Sequence, residues 1–267
     1  MRGYLAYFKM RLLTALQYRT AALAGISTQF FFGLVYLMIY TAFYSNSSAT
    51  PPMSFPQIIS YLWLQQAFLA MFMIFYRDND IAEMIRSGGV AYELCRPYNL
   101  YNLWMTKLIA NRLAATSLRC LPILLVAFWL PAPYALGMPD SPMALLMFII
   151  TLFLGSLVVI AASLLVHILT LITLEQTALT NLLHNFWEIL SGNYLPVPLM
   201  PAWLQSIVFW LPCRLGSDLP FRIYSGHIDY SEAQFSLGLQ VFWLVVLVAT
   251  GQMLFAYASK RITVQGG

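Results

Sequence analysis

Two ionisable side chains, Arg119 and Glu188, fall inside long apolar runs of the sequence. Counted at about 1.5 Å per residue from the polar ends near positions 109 and 178, both lie about 15 Å along their runs. An ionisable group at that depth is expensive and faces a bundle interior or a path. The two could pair between helices or touch a substrate, and their equal depth permits either. Gln65 and Gln66, midway along another apolar run with Met71 and Met73 beyond them, admit the same two readings: an amide-lined path, or hydrogen bonds between helices. His167 and His184 also sit at matched depth, about 8 Å in. Haem ligation needs such a pair, but a lone pair is the usual pattern of a polar contact between helices.

Other chemistry is thinly represented. No serine, cysteine or histidine constellation for nucleophilic catalysis stands out, which leaves a membrane enzyme as a weak reading. Cys95, Cys120 and Cys213 are scattered and lack C-x-x-C spacing, so neither a disulfide framework nor a zinc site is expected. The net charge of +4 comes from basic residues beside apolar runs. That distribution fits membrane topology better than nucleic-acid binding.

The elements that position these groups are membrane helices. Hydrophobic residues make up 60% of the chain and charged ones 9%, whereas soluble domains carry about 25% charged residues. The apolar runs are expected to span at 21–44, 56–76, 109–131, 143–172, 178–196 and 236–258, each long enough for a hydrocarbon core of about 30 Å. The run from Ala21 to Tyr44 is too long for a signal-peptide core and no small-residue cleavage site follows it, so no leader is expected. Of the 14 Lys and Arg residues, Arg2, Lys9, Arg11, Arg19, Arg77, Arg86, Arg96, Lys107, Arg112, Lys260 and Arg261 share one side of this topology. Only Arg214 and Arg222 lie on the other, which places both termini in the cytoplasm.

Three further segments are more than connectors. Tyr4, Phe8, Leu12 and Leu16 recur at i, i+4 with Lys9 and Arg11 beside them, an interfacial helix over residues 1–19. In the cytoplasmic loop 77–100, Asp80 and Glu83 can start a short helix whose apolar face is Ile81, Met84 and Ile85 and which ends at Gly88-Gly89. Such a helix could enter a partner's groove or lie on lipid headgroups. Val90, Tyr92 and Leu94 come next, then Arg96-Pro97, and Asn99 can open the next long helix. After the fifth run come Ser191-Gly192-Asn193, Pro196, Pro198 and Pro201, then AWLQSIVFWL, then Pro212. Ten apolar residues between prolines cannot cross a bilayer. With Trp203 and Trp210 near the interface, the segment suits a short helix dipping in and returning as a lid over 196–212.

The amphipathic start, IRSGGVAYELCRPYNL, SGNYLPVPLMPAWLQSIVFWLP and the terminal KRITVQGG together resemble, end to end, the type-2 ATP-binding-cassette exporter permeases, in the branch of small single-subunit permeases. The resemblance implies one all-α transmembrane domain over 1–267 with six spans and an outer re-entrant hairpin. It implies an ATPase-coupling region at Ile81, Met84, Ile85, Arg86, Glu93 and Arg96, and an outer lid at Pro198, Pro201, Trp203, Trp210 and Pro212. No G-x-x-x-x-G-K-[ST] phosphate loop is present, so ATP and Mg would belong to a separate ATPase chain, bound in two copies. The expected partners are that ATPase, a second identical or related permease, and membrane lipid, with no nucleic acid. The expected location is a bacterial cytoplasmic membrane, and the cargo lipophilic or amphipathic. The alternative is a secondary transporter or channel that needs no ATPase.

Overall fold

The computed structural model describes residues 2–17, 19–46, 50–74, 79–95, 97–173 and 177–260, and every regular element among them is helical. Four helices are long and apolar enough to cross a membrane: α2 (Arg19–Asn46, from Ala22), α6 (Leu100–Trp129), α7 (Pro142–Thr173) and α12 (Tyr230–Ser259). The shorter elements are α1 (Arg2–Leu16), α3 (Phe55–Phe72), α4 (Asn79–Arg86), α5 (Val90–Leu94) and α8 (Thr177–Leu190). A 3₁₀ turn at Val197–Leu199 leads into α9 (Ala202–Trp210), α10 (Pro212–Gly216) and α11 (Asp218–Tyr224).

Two expected spans differ from these elements. The run at 56–76 ends as a helix at Phe72, giving α3 18 residues, or about 27 Å. Its apolar character is diluted by Gln57, Ser60, Gln65 and Gln66, yet most of its side chains are buried against protein. Polar groups on such a helix meet other helices and not lipid. The run at 178–196 stops at Leu190, about 21 Å after its start and short of a full crossing. The chain leaves the helix through Gly192 at φ +84°, a conformation that glycine adopts without a Cβ clash. The expected third span begins earlier than position 109, because Asn99 caps α6 by accepting the Asn102 N–H at 3.1 Å.

The helices alternate in direction. At one end gather Tyr44, Met53, Gln57, Tyr134 and Gly226, joined by the Tyr44 hydroxyl donating to the Met53 carbonyl, Trp63 to the Tyr134 carbonyl and Gln57 to the Gly226 carbonyl. At the other, Tyr4 accepts the Asn99 N–H at 3.0 Å, and Trp104 packs on Phe255. α3 is wrapped by α2, α6 and α11, while α7 backs onto α12, α10 and α11. The α7–α10 contact is backbone-close. A Cβ on Gly155 would stand 2.6 Å from the Leu215 carbonyl oxygen, so only glycine fits there.

Arg112 of α6 closes the end of α3. Its Nη1 donates to the Met71 and Met73 carbonyls at 3.1 and 2.7 Å, and Nη2 to the Ile74 carbonyl at 2.8 Å. These are orphan carbonyls of a terminating helix, for which hydrocarbon offers no substitute partner.

The 79–94 segment forms α4 and α5, but its apolar face does not point outward. Ile81 is 0% exposed and, with Ile85 and Val90, packs into one cluster with Leu100, Trp104, Leu164 and Phe255. The face that the sequence offered to a partner is therefore consumed within the chain, because the ends of α6, α7 and α12 leave an apolar seat beneath it. Asp80 anchors the segment on its polar side, 2.8 Å from Lys107 of α6 and 3.8 Å from Arg11 of α1.

Both anchors are open to measurement. Arg112→Met orphans three carbonyls and should cost about 3 kcal/mol or more, seen as a lower Tm in detergent that Arg112→Lys restores in part; an unchanged Tm in the Met variant would show that the clamp is idle. The Lys107 hydrogen bond holds the Asp80 carboxyl below its usual value, against partial desolvation. A depressed carboxyl contributes stability that is present above its unfolded value, about 3.9, and is lost as pH falls through the depressed one. Asp80→Asn should thus lower Tm at pH 7, with the gap to wild type closing only in more acidic buffer than about pH 4. A gap of the same size at both pH values would mean that charge is not what anchors the loop.

Candidate functional site

A cleft of about 350 Å³ opens between α2, α3 and α8. Each helix supplies one stripe at i, i+3 or i+4 spacing: Thr28, Gln29, Phe32 and Tyr36 from α2, Gln65, Gln66 and Leu69 from α3 leading to Met73, and His184 and Glu188 from α8. Asn193 and Tyr194 close it from the turn after α8.

Its polar groups are linked. The Gln65 amide donates to the Asn193 carbonyl, and the Asn193 amide donates to Glu188 Oε2 at 2.7 Å. His184 Nδ1 lies 3.9 Å from Glu188 Oε1. This fixes the carboxylate rotamer and ties α8 to α3.

Gln65, Gln66 and Glu188, singled out from sequence, are thus brought together. Arg119 is not among them. Its guanidinium packs against Gly25 of α2, and the basic side chains that bear on Glu188 are His184 and Arg112. The expected Arg119–Glu188 pairing therefore fails, and the reason is depth. α6 starts at Leu100 and α8 at Thr177, so Arg119 lies about 28 Å along its helix, against about 16 Å for Glu188 and about 18 Å for Arg112. His167 is buried within α7, apart from His184 on the cleft wall, and no group of three metal-ligating side chains occurs among the described residues.

A second cavity of about 640 Å³ continues from the first and shares Tyr36 and Tyr194 with it. Ile39, Tyr40 and Phe43 of α2 face Leu195, Pro198, Leu199 and Met200 across it. The path thus changes from amide and carboxylate to aromatic along its length. Of the expected lid residues, only Pro198 lines this cavity. Pro201 and Trp203 at the start of α9 are exposed, the Trp210 carbonyl accepts from Trp243 at 2.8 Å, and Pro212 opens α10.

Sequence reasoning missed the segment beyond the lid. Asp218 is fully buried and accepts from the Tyr61 hydroxyl and the Val197 N–H, both at 3.2 Å, and from Arg222 at 3.4 Å. Arg222 in turn reaches Glu232 of α12 at 3.9 Å. One carboxylate therefore joins α3, the turn after α8, α11 and α12. The signal was present in the i, i+4 spacing of Asp218 and Arg222 on either side of Pro220, but both charges read as loop residues.

On the 79–94 segment the outward groups are Glu83, paired with Arg86, and Tyr92, which is 82% exposed, with Leu94 beside it. Met84 and Glu93 are half-buried. Arg96, the remaining coupling candidate, lies outside the described residues.

A family model described as an ABC-2 family transporter protein matches residues 30–266, from the middle of α2 through the two cavities to the C-terminal segment. The comparison with curated proteins returns no match. With nearly the whole chain covered, the protein belongs to the ABC-2 family of transporter membrane proteins, a multi-pass permease component.

Proposed function

We propose that this chain is the permease subunit of an ATP-driven exporter, in which two permeases pair and two copies of a separate ATPase supply ATP and Mg. The observation that carries the reading is the graded path, polar between α3 and α8 and aromatic beneath the 195–200 hairpin. A lipophilic or amphipathic cargo needs both surfaces. The path borders α2 and α8, which carry exposed Phe31, Phe32, Leu182 and Phe186, so a second permease has an apolar face to meet. α3 would serve as the second of six crossings, α8 would complete a fifth only together with the 191–200 segment that follows it, and the short helices α9–α11 would re-enter the outer leaflet. The charge distribution supports cytoplasmic termini in a bacterial inner membrane.

ATPase docking belongs to the α4–α5 segment. Because Ile81, Ile85 and Val90 share a core with α6, α7 and α12, a push on this segment moves those helices as one body. The docking face is the outward one: Glu83, Arg86, Tyr92 and Leu94. The His184–Glu188 pair in the cleft favours a second reading, a proton-coupled transporter working without an ATPase.

Co-expression with the candidate ATPase separates them. Tyr92→Asp with Leu94→Asp should abolish co-purification while permease yield and Tm hold. Ile81→Asp should instead unfold the permease itself, since burial of that side chain contributes about 1.5–3 kcal/mol and an unpaired buried charge adds to the cost. An ATPase that stays bound to the Tyr92/Leu94 variant would remove this docking face, and a permease that never binds one would favour the second reading.

A further inference from the structure

Two side chains on opposite walls of the cleft carry polar atoms without a hydrogen bond. Gln29 of α2 is 3% exposed, and neither its amide nitrogen nor its amide oxygen is hydrogen-bonded. Glu188 of α8 is 5% exposed; Asn193 occupies Oε2, the Ile74 N–H also bears on the carboxylate, and Oε1 meets no hydrogen-bond geometry and stands 3.9 Å from His184 Nδ1. Both line the same cavity. A buried amide or carboxylate oxygen left unsatisfied costs stability. Two facing each other across a cavity are the pattern of a site completed by a ligand.

The chemistry of the walls selects the ligand. No lysine or arginine lines the cleft, and the guanidinium that bears on Glu188, Arg112, gives its Nη donors to backbone carbonyls. An anionic head would meet the Glu188 carboxylate with only His184 as a basic side chain among the lining residues. A neutral head would bring no charge complementary to Glu188. A protonated amine donates to Glu188 Oε1 and to the Gln29 amide oxygen together, and Phe32, Tyr36 and Tyr194 offer aromatic faces to the same charge. The adjoining aromatic cavity then takes an apolar body.

We propose that the α2–α8 cleft is a recognition site for an ammonium-bearing amphiphile, held by Glu188 and Gln29 with its apolar part beneath the 195–200 hairpin. This rests on the permease reading and names the chemical class of its cargo. The ammonium can come from a soluble organic amine or from an aminophospholipid headgroup.

The test uses the full-length permease, purified with its ATPase and placed in phosphatidylcholine nanodiscs, whose headgroups carry no N–H donor. Rhodamine 6G, a cationic secondary amine, is titrated by fluorescence anisotropy, with sulforhodamine B as the anionic counterpart. Wild type should bind rhodamine 6G saturably and sulforhodamine B not at all. Glu188→Gln, which preserves an acceptor for Asn193, should weaken binding about tenfold or more, and Gln29→Glu, which adds a second carboxylate, should tighten it. Loss of the signal when phosphatidylethanolamine replaces phosphatidylcholine identifies the lipid headgroup as the source, and an unchanged signal identifies a soluble amine. Equal binding by wild type and both variants, or no saturable binding because a second copy of the chain covers the cleft, overturns the proposal. Co-purification of the ATPase with the same preparations separates the two levels: if it persists, only the cargo class falls, and if it fails, the permease reading falls too.

Discussion

Everything in this architecture answers to one constraint: in hydrocarbon, a backbone carbonyl that leaves its helix must find a partner inside the protein. The chain breaks its helices repeatedly, at Phe72, at Leu190 and through the short pieces from Val197 to Tyr224. Each break is met by a buried side chain from elsewhere. Arg112 takes the carbonyls after α3, Gln65 the Asn193 carbonyl and Ser217 the Ser191 carbonyl. Gln240 of α12 bridges the Thr151 and Leu215 carbonyls at 2.9 and 2.7 Å. Gln205 and Arg214 do the same between Val197 and Gly216, on Pro198, Met200 and Phe209. Arg112, Gln65, Ser217, Gln240 and Arg214 are therefore caps for broken helices before they are anything else.

The cleft stands apart from this pattern. Where a buried amide or guanidinium caps a carbonyl, its role is structural, even where one of its atoms, such as Gln240 Oε1 or Arg214 Nη1, makes no hydrogen bond. Gln29 caps nothing, and Glu188 offers an oxygen that no cap uses. Both line the cavity beside the early end of α8, so the break at Leu190 also shapes the cavity. A continuous fifth helix would have filled this space with its own turns and would have brought Asn193 around to another face.

The long helices were legible because α2, α6, α7 and α12 are lipid-facing along much of their length, and hydropathy reports lipid contact. α3 was located less well at its end, since the stop at Phe72 is imposed by Arg112, forty residues later in the chain, and not by any local breaker. The amphipathic pattern of α4 was also read correctly as a helix, but not its destination: Ile81 and Ile85 fit a partner's groove and an internal seat equally well in sequence, and only the clustered ends of α6, α7 and α12 choose between them. The Arg119–Glu188 pairing failed for a related reason. Depth was counted from where hydrophobicity begins, whereas α6 begins nine residues earlier at the Asn99 cap. Gln65, Gln66 and Glu188 were found because an intramembrane polar residue is costly wherever its helix lies. Asp218 and Arg222 were missed because their segment reads as an outer loop, and its burial depends on the close approach that Gly155 permits.

The division between tightly and loosely held helices bears on how such a molecule would work. α6, α7 and α12 share an apolar core with α4, and α10 and α11 are locked to α7 through backbone contact and to α3 and α12 through Asp218 and Arg222. α8 seats Trp187 and Leu190, near its C-terminal end, in the larger apolar core. It is held at its far end by Ser217, Gln65 and the Asn193–Glu188 bond, all within a few residues of the turn at Gly192. A force applied to α4 therefore reaches α10 and α11 through a rigid body, to which α8 is tied at its Gly192 end. Movement of that body relative to α2 would change the width of the cleft between α2 and α8 while leaving the caps on the broken helices intact, which is the condition a membrane protein must meet to change shape without exposing its backbone to lipid.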